Sequence, residues 1–156
     1  SKMYSEPKNY AKYTLNWLFS IFEWMTMYSE VTNSIKISVD PIFMEDQSEP
    51  EDFRYVWAYH VRIENQGLDT VQLMRRHWHI TDSQGRINEV RGEGVVGEQP
   101  VLKPGESFKY TSGTPLTTSS GFMVGSYQMV DRAGTSFSVS IPAFSLDSPH
   151  DLKLVN

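Results

Sequence analysis

The chain has 156 residues, 39% hydrophobic and 13% aromatic, which suits one globular domain with a core of its own. It has no cysteine, which excludes a disulfide scaffold, thiol catalysis and any zinc site built on thiolates. Asp and Glu number 19 against 14 Lys and Arg; the net charge of −5 argues against a nucleic-acid binder held by phosphate contacts, and no apolar run reaches the length of a membrane span.

Residues 1–26 stand apart from the rest. Leu15, Leu18, Phe19, Phe22 and Met25 recur at helical spacing opposite Asn16, Ser20 and Glu23, which predicts a helix over residues 13–25. As a secretory leader the segment is weakly basic, carries Asn16 and Glu23 in its apolar stretch and lacks a small-residue cleavage site. As an interfacial membrane helix its polar face is not basic. We expect an extension that packs on the domain or on a partner, or that joins two copies in a homodimer.

From Met27 the period is two. Ile35, Ile37 and Val39 alternate with Lys36 and Ser38, Asp40-Pro41 bends the chain, and Glu45 to Asp52 forms an acidic loop. Phe53, Tyr55, Trp57, Tyr59, Val61 and Ile63 then form one aromatic, buried face of a strand that Asn65-Gln66-Gly67 ends. Val71 and Leu73 are out of phase with Trp78 and Ile80, the signature of a β-bulge between positions 73 and 78. Asp82-Ser83-Gln84-Gly85 is a hairpin turn, and residues 87–90 return. Phe108 and Tyr110 open a strand that ends at Ser112-Gly113, followed by a loop from Thr114 to Ser120. Met123, Tyr127 and Met129 oppose Phe122, Val124, Ser126 and Gln128; after the turn Asp131-Arg132-Ala133-Gly134, Phe137, Val139 and Ile141 alternate with serines.

About seven short strands with a turn signal every 8–12 residues predict an all-β antiparallel sandwich or barrel over residues 27–156. Helical periodicity is absent after residue 27, which rules out a doubly wound α/β fold.

Gly92-Glu93-Gly94-Val95-Val96-Gly97 matches G-x-G-x-x-G, the glycine pattern of dinucleotide sites. There a helix follows and its N-terminus holds the pyrophosphate. Here Pro100 and Pro104 forbid that helix, and Glu93 and Glu98 set negative charge beside any phosphate. The better reading is a set of backbone bends in a loop crossing between sheets. The alternative is a phosphate loop of Gly92, Gly94 and Gly97 with Arg91 or Lys103 as counter-charge.

At this loop the sequence resembles the bacterial ApaG proteins and ApaG-like domains, from about Met27 to Leu154. The resemblance rests on ordered blocks: Ala58 to Asn65, Leu73-Met74-Arg75-Arg76-His77-Trp78, Gly92 to Pro100, Pro104-Gly105-Glu106, Phe108 to Gly113, Gly121 to Tyr127 and Ile141 to Leu146. It implies an immunoglobulin-like or fibronectin type III-like sandwich in a small cytoplasmic protein. The family is named from gene linkage to a diadenosine tetraphosphate hydrolase and is associated with cobalt resistance and magnesium efflux. Similar eukaryotic domains, in F-box proteins and a polymerase-delta-interacting protein, look like protein-binding modules. The resemblance brings no catalytic activity and no cofactor.

His77 and His79, two apart on a strand, share a face and could share a metal, with His60 on a nearby strand as a third imidazole. Arg75 and Arg76 face opposite ways, so one of them can join Arg62 or Arg91 in a cationic patch. The plainer reading of these arginines is surface ion pairs with Glu64, Glu89 or Glu93. The acidic run Asp46, Glu49, Glu51 and Asp52 lacks EF-hand spacing and reads as a solvated loop. No serine sits in G-x-S-x-G, and no triad is legible. The expected function is that of a non-enzymatic module that binds a protein partner through a sheet edge or loop end, with phosphate or divalent-cation binding as alternatives.

Overall fold

The period-two segments fold into two facing antiparallel sheets in a computed structural model that describes residues 27–151. The helix expected over residues 13–25 lies outside the described residues. One sheet runs in the order β1 (Tyr28–Thr32), β2 (Ile35–Phe43), β3 (Tyr55–Asn65), β7 (Ser107–Leu116). The other runs β5 (Ile87–Glu93), β4 (Val71–Asp82), β8 (Ser120–Asp131), β9 (Ser136–Asp147), and β6 (Val101–Leu102) pairs with β4 beyond the end of β5. Among the described residues, no helix is long and apolar enough to cross a membrane.

The inward sets meet in one core. Ile35, Ile37 and Val39 of β2, Trp57, Tyr59, Val61 and Ile63 of β3, and Tyr110 and Leu116 of β7 face Leu73, Trp78 and Ile80 of β4, Met123, Tyr127 and Met129 of β8, and Val139, Ile141, Phe144 and Leu146 of β9. Phe144 joins the two sheets: its ring lies 5.9 Å from Trp78, 6.2 Å from Tyr59 and 6.1 Å from Tyr28. Such tilted and edge-on contacts add to the burial of apolar area that drives the packing.

Several strand boundaries differ from the sequence reading; β5 runs on to Glu93, and β6 was not expected. β1 was not expected; it pairs with β2 through a two-residue turn in which Asn33 and Ser34 both have positive φ, a conformation that matches the twist of paired strands. β2 runs through Asp40-Pro41 rather than bending there. β1 begins at Tyr28, opposite Val39, so among the described residues Pro41 has no partner strand on that side and a missing N–H is tolerated. Phe53 is 71% exposed, not the first residue of the aromatic face, because it closes the 3-10 turn Pro50–Asp52 in the left-handed conformation. β7 continues past Gly113 to Leu116 and buries Ser112 and Thr114.

Two hairpins share one device. Asp82 and Asp131 each accept two backbone N–H bonds through Oδ1, from Gln84 and Arg86 and from Ala133 and Thr135 respectively. Gly85 (φ 80°) and Gly134 (φ 81°) supply the left-handed residue that closes each loop. Burial alone would raise the Asp82 carboxyl, but the Arg86 side chain and the amides of Arg86 and Gln84 outweigh it and hold the group below its ordinary value.

At the other end of the sandwich, buried Asn65 ties three segments together. Its Nδ2 donates to the carbonyls of Asp69 (2.7 Å) and Leu102 (2.9 Å), and its Oδ1 accepts from the Gly67 amide (3.0 Å).

Two outcomes follow from these contacts. Asn65→Ala removes three hydrogen bonds of a buried side chain at once and should lower stability by about 2–3 kcal/mol, read as a shifted urea midpoint at constant slope. For Asp82 the folded pKa lies below the unfolded one, so its contribution is complete above the ordinary carboxylate range and is lost as pH falls through the folded value. The Gln84 and Arg86 amide resonances should titrate together with a midpoint below that of a free aspartate, and Asp82→Ala should remove the step.

Candidate functional site

The bulge expected in β4 falls at Met74: Leu73 pairs with Met129 and Arg75 with Gln128, leaving Met74 without a counterpart on β8. The slip reverses the phase of the strand. Leu73 faces inward before it; Arg76, Trp78 and Ile80 face inward after it, while Arg75, His77 and His79 face outward. β5 then lies alongside with His77 opposite Arg91 and His79 opposite Glu89, and β8 lies on the other side with Ser126 opposite His77.

A cleft of about 540 Å³ opens on this outer face, lined by Arg75, Arg76, His77, Arg91, Ser126 and Gln128 among others. Arg75 is exposed, and among the described residues it makes no ion pair. Arg91 is held by Glu89, whose Oε1 accepts from Nη2 at 2.6 Å and Nε at 3.0 Å. The same oxygen lies 2.5 Å from His77 Nε2. The bonds from Arg91 and then from His77 pull the Glu89 carboxyl below its ordinary value.

The His77 and His79 rings pack with centroids 4.6 Å apart. The third ligand-bearing residue beside them is Glu89; the ligand atoms of His77, His79 and Glu89 all lie within 4.8 Å of one another. His60 sits in the other sheet, where its Nδ1 is 2.5 Å from Thr111 Oγ1. Arg62 pairs with Glu64 at 3.2 Å in that sheet and does not line the cleft. The acidic residues Asp46, Glu49, Glu51 and Asp52 are exposed and converge on no such cluster.

Arg76 takes a different path. It runs inward beneath β5 and donates from Nη1 to the carbonyls of Glu93 and Gly94, both at 2.9 Å. Its guanidinium lies where a Cβ on Gly92 would stand, 2.7 Å away, so residue 92 can carry no side chain unless Arg76 moves. Three phenols lie close enough for the guanidinium to act on them: Tyr59, Tyr110 and Tyr127. Burial raises all three above the ordinary phenol value, and the Arg76 charge offsets only part of that rise. The hydroxyls of Tyr110 and Tyr127 bond to each other.

The glycine loop does not cross between sheets as expected; it joins β5 to β6, both paired with β4, and fills the margin of that strand. Met74, freed by the bulge, accepts there from the Gly94 amide (2.8 Å) and from Gln99 Nε2 (3.0 Å). Val95 and Glu98 exchange both backbone bonds across Val96-Gly97, a two-residue hairpin with φ of 44° and 79°. Val95 is fully buried as the anchor of this loop. The amides of Gly94, Val95 and Glu98 are therefore donated to protein carbonyls, and the chain leads from Gly97 into β6 rather than a helix. Arg91 reaches the cleft on the outer face; Lys103 lies beyond β6, where its amide donates to Glu106 Oε2 at 3.2 Å. Glu89 and Arg76 were expected only in a surface patch or ion pair, neither beside the two histidines nor turned inward. Counting outward from the Asp82–Gly85 turn would have set Glu89 across from His79, and the bulge would have turned Arg76 inward.

The profile of the ApaG domain matches residues 45–131. The Protein ApaG of Rhodospirillum centenum is 70% identical over 124 residues, covering 80% of this chain and 95% of the relative. That of Paramagnetospirillum magneticum is 59% identical over 130 residues, covering 83% of this chain and all of the relative. A crystal structure of an ApaA protein from Bordetella pertussis superposes with a TM-score of 0.72 at 50% identity, covering 74% of this chain and 94% of that one. The matched residues include the bulged strand, the glycine loop and the cleft between them, and on that extent the chain belongs to the ApaG domain family.

Proposed function

We propose that this chain is a non-catalytic binding module that takes a partner protein on the outer face of β5, β4 and β8, gripping an acidic side chain in the arginine cleft. The observation that carries the reading is a cleft lined by Arg75, Arg91 and the inward-running Arg76, with Glu93 its one acidic lining residue, in a chain whose net charge is −5. Guanidinium groups present a rigid planar fork that suits a carboxylate, and among the described residues Arg75 has none of its own. β5 is an edge strand, so an extended segment of the partner can add beside it while its acid crosses to Arg75 and Arg91.

Two features support a binding rather than a catalytic role. The buried phenols are held in the neutral form. The loop glycines serve the backbone bends and the Arg76 contact described above. The strand path β2-β3-β7 against β5-β4-β8-β9 further supports a fibronectin type III-like kinship, a frame that many binding modules use.

The decisive comparison is in-cell crosslinking of the full chain, wild type beside Arg75→Glu. The wild type should crosslink a partner that, captured again without crosslinker, is released at about 0.5 M salt, where surface charge is screened within a few ångströms. Arg75→Glu should lose it. The same partners captured equally by both forms would refute the assignment of the cleft.

The loop glycines give a separate expectation. A Cβ at Gly94 would stand 2.3 Å from the Glu98 carbonyl oxygen at φ +63°, whereas at Gly97 it would meet open space at φ +79°. Gly94→Ala should therefore destabilise the fold by about 2 kcal/mol or more and Gly97→Ala by about 1 kcal/mol, measured by thermal melts.

A further inference from the structure

The pairing of His77 with Glu89 leaves His79 unexplained. Among the described residues its imidazole makes no hydrogen bond; it stands on the outer face against the ring of His77. We propose that His77, His79 and Glu89 together bind one divalent late first-row metal ion of the zinc or nickel kind.

The geometry is set by backbone rather than by a loose loop. His77 and His79 share a face because they are two apart on β4. Glu89 lies directly across from His79 and one diagonal step from His77 in the β4–β5 ladder. Both strands are paired over this stretch, and β4 is paired on both sides. The ligand atoms fall within 4.8 Å of one another. Bonds of about 2.0–2.1 Å from one ion to imidazole nitrogen and carboxylate oxygen place ligand atoms roughly 3–4 Å apart, so small side-chain rotations close the site. On binding, the proton shared by His77 Nε2 and Glu89 is released to solvent, and the imidazole nitrogen and the carboxylate bond the ion in its place.

The donor set selects the class of ion. Two imidazoles and one carboxylate suit zinc, nickel and copper, whereas magnesium and calcium call for oxygen alone. Three protein ligands leave a coordination position open to solvent. Arg91 supplies the outer contact that such sites use: it grips Glu89 Oε1 through two nitrogens and holds the carboxylate beside His77. This site does not depend on a protein partner occupying the cleft.

The test is calorimetry of the untagged, chelator-treated full chain with zinc chloride, alongside nitrogen-15 spectra of the imidazoles. One zinc per chain is expected, with the His77 and His79 ring signals moving together as it is added. His79→Ala and Glu89→Gln should each weaken the affinity about tenfold or more, whereas His150→Ala, remote from the cluster, should leave the isotherm unchanged. Magnesium chloride should give no comparable heat. Matching isotherms for the wild type and His79→Ala overturn the proposal, as do ring shifts confined to His60 and His150 or magnesium binding as tightly as zinc. Should His79→Ala fail to fold, the ring shifts of the wild type decide alone.

Discussion

Met74 is one residue more than β8 can pair with, and the strand absorbs it as a bulge. Because side chains alternate along a strand, that single unpaired residue reverses the facing of everything after it. Without the slip, Trp78 and Ile80 would point to solvent, and Arg75, His77 and His79 would point into the apolar interior. The core and the outer face of the sheet thus depend on the same local irregularity. The bulge also leaves the Met74 carbonyl free on the other margin of β4, where it holds Gly94 and Gln99. One added residue in β4 fixes the core, the cleft and the path of the glycine loop.

Arg76 shows what the reversal entails. A guanidinium placed on the inward face must find acceptors, since a buried charge left unpaired is costly. It finds two carbonyls, Glu93 and Gly94, at the point where β5 gives way to the loop. Its Nε stays buried without a partner. The contact requires Gly92, because any side chain there would occupy the guanidinium's place. Gly94 is required for a different reason: its left-handed backbone and the neighbouring Glu98 carbonyl leave no room for a Cβ. The spacing G-x-G-x-x-G thus has a structural account at each glycine, the third being the left-handed residue of the Val96-Gly97 turn.

Much of this was legible from residue order alone. The phase change between Leu73 and Trp78 announced the bulge, since an apolar alternation that skips a beat has to be repaired by an extra residue. Pro100 and Pro104 ruled out a helix after the glycines. Asp82 and Gly85 marked one hairpin; Asp131 and Gly134 marked the other. Phe53 misled, because an aromatic in step with a strand pattern looks identical whether the strand has begun or a turn is still closing. Pro41 misled in the opposite sense. Its tolerance within β2 rests on where β1 begins, a fact about a neighbouring strand.

The all-β class, the alternation that sorts core from surface, the turns that divide the strands and the kinship of the family are written in residue order. These are local properties: hydrophobic period, residue-specific backbone preference and block similarity are all read along the chain. Folding settles the rest: Glu89 rather than His60 joins His77 and His79, Arg62 stays in the other sheet, and Arg76 turns inward to hold the glycine loop. Those choices depend on strand order and register across two sheets. Partners far apart in the chain are brought together by hydrogen-bonded pairing and by burial of the shared core, neither of which a single strand can specify.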